Sequence, residues 1–279
     1  MSFLTLSESS LRTVAQKLKI SQGNSLSFDA LSAEIVNVFS SQRFFGEVTR
    51  VESTNRAEST LIWCHGLTGT GDRWKSFVTD KLAPSLPSMR FVLPTAPTRR
   101  LIRDPSQETT AWYDFLTTDG SRSPDLDDLL VSAAYISYLA RKEHQALSSD
   151  GITGKVFFGG FSQGATLALY TLLTSAFPFA GILAVGGYSP RFEKFDRNTF
   201  AATSSGSSTA SVVPLFIGHG DADDIIPLTL HNRTVRFLLD SGVPESAMTA
   251  KVYSGLRHST CEAEVKDMVS FCIKQLVSG

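Results

Sequence analysis

Cysteine is scarce in this chain of 279 residues: there are three, Cys64, Cys261 and Cys272, and the first and last sit in apolar stretches. That pattern offers no disulfide framework and fits reduced core residues in a cytosolic protein. An excess of charge is missing too. The 26 basic and 27 acidic residues are interspersed and leave a formal net charge of -1, so no basic face is evident for the phosphates of a nucleic acid. No run of about 18 apolar residues is present that could span a bilayer. Residues 1–4 lack the basic and apolar regions of a secretory leader, Ser2 stands where myristoylation needs glycine, and Cys272 lies too far from Gly279 for a prenylation box. These absences point to a soluble globular chain, expected in the cytoplasm, whose 42% hydrophobic residues suffice for one large α/β core.

From about residue 61 onward, short apolar runs alternate with amphipathic segments, which predicts a mostly parallel sheet with helices on both faces. The strand candidates are residues 61–64, 90–93, 155–158, 181–185, 214–217 and 250–253. Between them, Leu129, Ala133, Ile136 and Ala140 recur at helical spacing, and so do Val265, Met268, Val269, Cys272, Ile273 and Leu276, ahead of which Ser259 and Glu262 have capping-box spacing. Residues 203–211, all small or polar, read as an exposed loop. Residues 1–42 differ. They carry two short helical patterns, Leu11/Val14/Ala15/Leu18 and Leu31/Ile35/Val38/Phe39, and read as an N-terminal helical extension packed on or beside a catalytic domain of residues 43–279, whose first element is a strand or hairpin at residues 46–51.

The chemistry centres on Gly160, Phe161, Ser162, Gln163 and Gly164. This G-x-S-x-G follows an apolar run and precedes a helical one, the strand, sharp turn and helix context in which the motif marks a nucleophilic serine. Such a turn lifts the hydroxyl above the sheet, where a base reaches it from one side and a substrate from the other. On this fold the partners follow in the order Ser, Asp or Glu, His. His65 and His144 precede the serine, His219 ends a predicted strand and His231 lies on a predicted helix. His258 remains as the base, in a glycine-containing loop after the last strand candidate, at the carboxyl edge where open α/β sheets bind ligands. The acid belongs after residues 214–217, where Asp221, Asp223 and Asp224 all stand; spacing does not choose among them. The run lacks the ligand spacing of a calcium loop, and no His/Cys set accompanies it, so no metal is expected. Residues 66–71 lack the Walker lysine and the dinucleotide spacing, so no nucleotide or flavin cofactor is expected either.

Six motifs in order are similar to those of the acyl-protein thioesterase and carboxylesterase/phospholipase family of α/β-hydrolases. They are His65 to Gly71 with Trp74; Leu93 to Pro97; Trp112, Tyr113 and Asp114; the elbow at Ser162; His219, Gly220, Asp221, Ala222 and Asp223 with Ile226 and Pro227; and Gly255 to Ser259. The resemblance covers the chain from about residue 60 and implies Ser162 as nucleophile, His258 as base and Asp223 as acid. It implies an oxyanion hole from the backbone amides of Leu67 and Gln163, with His65 and Gly66 shaping the first of these loops. It further implies a serine hydrolase of acyl thioesters and esters, above all S-acylated proteins, with small esters or lysophospholipids as alternatives and transient contact with a membrane surface. A hydrolase-like scaffold that binds a ligand without turnover is the remote alternative. The chain departs from the family at Thr68-Gly69, at Ala165 after the elbow, and in the charged residues 99–110. Trp112, Tyr113, Phe115 and Leu116 are candidates for an apolar acyl groove, with core packing the competing reading.

Overall fold

The computed structural model describes residues 6–21, 23, 25–117, 123–149, 151, 153–190 and 212–277. The predicted loop at residues 203–211 lies outside them.

A seven-stranded sheet runs in the order β1-β3-β2-β6-β7-β8-β9, with β1 (Val48–Val51), β2 (Ser59–Cys64), β3 (Met89–Pro94), β6 (Lys155–Phe161), β7 (Gly181–Val185), β8 (Leu215–Gly220) and β9 (Met248–Tyr253). β1 is the antiparallel edge; every other pairing is parallel. Each of the six strand candidates overlaps one of these strands, with Pro214 alone lying outside, just before β8. The central ones are buried along nearly their whole length and mostly apolar because helices cover both faces. Alternation divides them: Ile62, Cys64, Val156 and Phe158 face one core cluster, and Leu61, Trp63 and Phe157 the other.

The first face is covered by α4 (Leu126–Ser149), α5 (Gln163–Thr174) and α6 (Leu228–Asp240), the second by α7 (Glu262–Val277) and a helical run at residues 72–85 that includes α3 (Lys75–Phe77). Lys155, on β6, donates to the carbonyls of Gln275 and Leu276 at 2.7 and 3.0 Å, supplying the last turn of α7 with a cation where its dipole favours one. The expected Ser259/Glu262 capping box does not form. α7 begins at Glu262, and its first bond runs from the Val265 amide to the Cys261 carbonyl, which leaves Ser259 two residues short of the cap.

The two N-terminal patterns form α1 (Glu8–Lys17) and α2 (Phe28–Ser40), each started by a serine, Ser7 and Ser27, whose hydroxyl accepts an amide bond from the first turn. Leu11, Val14, Leu31, Ile35 and Phe39 are buried in the same apolar cluster as α4 and the first face of the sheet. Phe39 packs edge-on against Tyr135 of α4, with ring centroids 5.4 Å apart, and Phe45 stacks on the same tyrosine.

A second, two-stranded sheet was not foreseen from the sequence: β4 (Thr98–Leu101) pairs antiparallel with β5 (Asp104–Thr110), with a register shift at Arg100/Leu101. These strands lie in the charged stretch 99–110, where the chain departs from the family pattern. An outward hairpin has no core to bury, so its strands show no apolar alternation to read.

Candidate active site

Ser162 sits between β6 and α5 at φ 57° and ψ -114°, a left-handed backbone that a serine adopts only where its surroundings impose it. Those surroundings are the flanking glycines. A Cβ at Gly164 would lie 2.2 Å from the Cys64 carbonyl oxygen, and one at Gly160 would lie 2.6 Å from the Gly164 carbonyl carbon. The G-x-S-x-G spacing is therefore a packing requirement of the turn against β2.

His258 lies in the loop between β9 and α7. Its Nε2 is 2.9 Å from Ser162 Oγ, and its Nδ1 is 2.7 Å from Asp223 Oδ2. A carboxylate only accepts, so Nδ1 carries the proton and Nε2 is left to accept from the serine hydroxyl. The Asp223 side chain is 1% exposed and its second oxygen accepts from the Ile225 and Ile226 amides at 2.9 and 2.7 Å. The ring of Phe161 lies 4.8 Å from that of His258, centroid to centroid.

The three aspartates that spacing left equivalent are separated by the backbone. Asp221 accepts from the Gly255 amide at 2.6 Å, and Asp224 pairs with Arg257 at the surface. Only Asp223 meets the imidazole. With the Ala222 amide bound to the Leu256 carbonyl at 3.1 Å, the acid loop and the base loop are joined across several rungs. His219, buried at the end of β8, donates through Nε2 to the Ile226 carbonyl at 2.8 Å and closes the loop that presents Asp223. Burial holds its pKa below the usual histidine value, and it stays a neutral donor.

Two amides expected to receive an oxyanion lie on either side. Gln163 is the first residue of α5, where backbone N–H groups have no partner within the helix and the helix dipole favours negative charge. Its side chain is buried and held at both ends: Oε1 accepts from the Trp112 amide at 2.9 Å, and Nε2 donates to the Tyr113 carbonyl at 2.8 Å. On the other side, His65 fixes the turn that carries Leu67. The Ala96 amide donates to His65 Nε2 at 3.0 Å, so Nδ1 holds the proton and donates to the Gly66 carbonyl at 2.6 Å. Burial depresses the His65 pKa to about 4, which preserves this tautomer at neutral pH. Thr68 follows at φ 67°, strained for a β-branched residue, and its amide donates to the Thr110 carbonyl of β5 at 2.9 Å.

The proposed acyl-groove residues are not equivalent. Trp112 and Tyr113 are 0% and 1% exposed; the Trp112 indole donates to the His65 carbonyl at 2.8 Å and its ring packs on Phe45. Both serve the framework. Phe115 is nearly buried beneath the Arg103 guanidinium, and Leu116 alone of the four is open to solvent, at 56%. Among the described residues no group of His, Cys, Asp and Glu is arranged to hold a metal ion, and no helix is long and apolar enough to cross a membrane. Cys64 and Cys272 are buried, and burial pushes both thiols well up from their ordinary pKa, away from nucleophilic use.

Residues 47–276 match the family model described as Phospholipase/Carboxylesterase. Among curated proteins, the chain is 33% identical over 230 residues to acyl-protein thioesterase 1 of Saccharomyces cerevisiae, covering 80% of this chain and 95% of that protein. It is 31% identical over 232 residues to acyl-protein thioesterase 1 of Neurospora crassa, covering 81% and 90%. Among solved structures, acyl-protein thioesterase 2 of Zea mays superposes with a TM-score of 0.68 at 26% identity, covering 83% of this chain and 99% of that one.

Proposed function

Because the chain belongs to the phospholipase/carboxylesterase family of α/β-hydrolases, we propose that Ser162, His258 and Asp223 are the machinery of a serine hydrolase that cleaves acyl thioesters and esters. S-acylated proteins are its foremost substrates. The names of the curated relatives support the substrate class, and the unbroken relay from Asp223 through His258 to Ser162 supports the residues.

His258 Nε2 takes the proton as Ser162 Oγ attacks the acyl carbonyl, and Asp223, hydrogen-bonded to Nδ1, stabilises the imidazolium. The carbonyl oxygen, now negative, lies between the Leu67 and Gln163 amides; preorganised donors of this kind are worth roughly 2.7–4 kcal/mol each. The imidazolium then protonates the departing thiolate or alkoxide as the carbon–sulfur or carbon–oxygen bond breaks, leaving an ester on Ser162. A water gives its proton to His258 and attacks that ester, and the returned proton restores the serine hydroxyl as the fatty acid leaves. No step calls on a metal or an organic cofactor.

Leu116, beside the edge of Phe115, is the apolar surface proposed for the acyl chain, while Trp112 and Tyr113 act by holding Gln163. Lysophospholipids and small esters are secondary substrates of the same chemistry. The protein is proposed to work in the cytoplasm and to meet membrane surfaces only transiently, through its lipidated substrates. In the test, Ser162→Ala is assayed against a chromogenic acyl ester and an S-palmitoylated peptide. Turnover falls by at least about 10³-fold on both, and retained turnover would remove the mechanism.

A further inference from the structure

α1 lies outside the family match, yet it is joined to the surroundings of the site through two carboxylates at the start of α4. Lys17, in its last turn, donates to Asp125 Oδ2 at 2.7 Å and to Asp128 Oδ1 at 3.1 Å. Asp125 is the residue whose other oxygen accepts from the Asp127 and Asp128 amides at the start of α4. Asp128 is 7% exposed, and its second oxygen takes two bonds: one from the Arg99 guanidinium on β4, the other from the Asp114 amide at 3.0 Å.

Each of those bonds leads to an oxyanion donor. Asp114 ends the segment whose Trp112 amide and Tyr113 carbonyl grip the Gln163 side chain. Arg99 anchors β4, which is paired with β5, and Thr110 at the end of β5 bonds the other loop twice: its carbonyl accepts from the Thr68 amide at 2.9 Å, and its hydroxyl donates to the Gly69 carbonyl at 2.5 Å. One lysine thus supports both sides of the hole. We infer that Lys17 is a positioning residue for the reaction: by pairing with Asp128 it holds the Trp112 to Asp114 segment and the β4–β5 hairpin, and with them the Gln163 and Leu67 amides. Without it, Asp128 keeps Arg99 as its one cation and Oδ1 loses its donor, and a carboxylate that turns Oδ1 toward solvent or toward Arg99 to replace that bond releases the Asp114 amide.

The inference rests on the oxyanion assignment above, and the two are separable by experiment. Lys17→Met keeps the aliphatic stem and removes the charge. It is expected to lower kcat by about three- to tenfold, with KM changed less than about twofold, because a transition-state contact is loosened and substrate binding is not. Lys17→Arg recovers most of the loss. In an Asp128→Asn background Lys17→Met lowers kcat by less than it does in the parent, since the Lys17–Asp128 link is already cut and only the bond to Asp125 is left to lose. This last comparison holds even if the single variant is less stable. A kcat for Lys17→Met within about 1.5-fold of the parent, failure of Lys17→Arg to recover activity, or additive effects with Asp128→Asn would each overturn the role of Lys17. Fluorophosphonate labelling keeps the readings apart. Absence of labelling at Ser162 in the parent overturns the nucleophile assignment, whereas labelling of Lys17→Met at the parental rate overturns the positioning role alone.

Discussion

Glu264 is fully buried on α7, and neither of its carboxylate oxygens has a hydrogen-bond partner among the described residues; a Cβ on Gly218 of β8 would lie 2.3 Å from one of them. Burial, with Asp267 nearby adding like charge, raises its pKa to about 8, so at neutral pH the side chain is a neutral acid. The unfolded chain would ionise near 4.5 and the folded one near 8, so stability is greatest below the lower value and is lost as pH rises through the upper one. At about 1.36 kcal/mol per pH unit, the loss by pH 7 is on the order of 3 kcal/mol. The buried imidazoles of His65 and His231 work the other way. Burial depresses each to about 4, so their contribution is complete above the ordinary 6.5 and is lost as pH falls toward 4. Thermal stability is therefore expected to peak near pH 6.5 and to decline toward pH 8. Glu264→Gln, scanned by calorimetry from pH 5 to 9, flattens the alkaline decline. A melting temperature that climbs through pH 8 in the parent, or an unchanged slope in the variant, contradicts this.

The elements differ in how plainly the sequence announces them. The central strands and α4 are legible because burial on both faces, or on one helical stripe, forces an apolar pattern. The β4–β5 hairpin is hidden because its pairing rests on the backbone and an exposed Arg100–Glu108 ion pair, with no apolar alternation to announce it. The choice of Asp223 over Asp221 and Asp224 was not legible from spacing, since it depends on which rung of the joined acid and base loops each residue occupies. His65 reads as shaping the loop that carries Leu67, but the bond by which it does so, from the Ala96 amide 31 residues away, leaves no mark in the sequence. α1 and α2 show their apolar stripes and read as packed on or beside the domain; that they bury those stripes in the same core that the sheet faces is not legible. Phe39→Ala on α2 tests that integration. Its ring is 1% exposed between Tyr135 and Tyr138, so truncation should cost about 3–5 kcal/mol in a single cooperative unfolding transition. A separate low-temperature transition, with the remainder unperturbed, would mean that the helical pair folds independently.

Across the whole molecule, a seven-stranded sheet brings together side chains from three distant loops: the turn after β6, the loop after β8 and the loop after β9. The strained backbone of Ser162 is held by glycines packed on β2, the loops that carry Asp223 and His258 are joined to each other, and the two amides proposed for the oxyanion are tied through β5 and the Trp112 to Tyr113 segment to α4 and α1. A site restrained from so many sides suits catalysis by preorganised dipoles. Its central claim concerns one oxygen atom. Rapid quenching of the protein with a palmitoyl thioester, followed by mass spectrometry of its peptides, should show a palmitoyl increment on the peptide containing Ser162, forming before steady-state product and vanishing as product appears. Full turnover with that peptide unmodified at every time, or with the acyl group carried on another residue, would contradict the account.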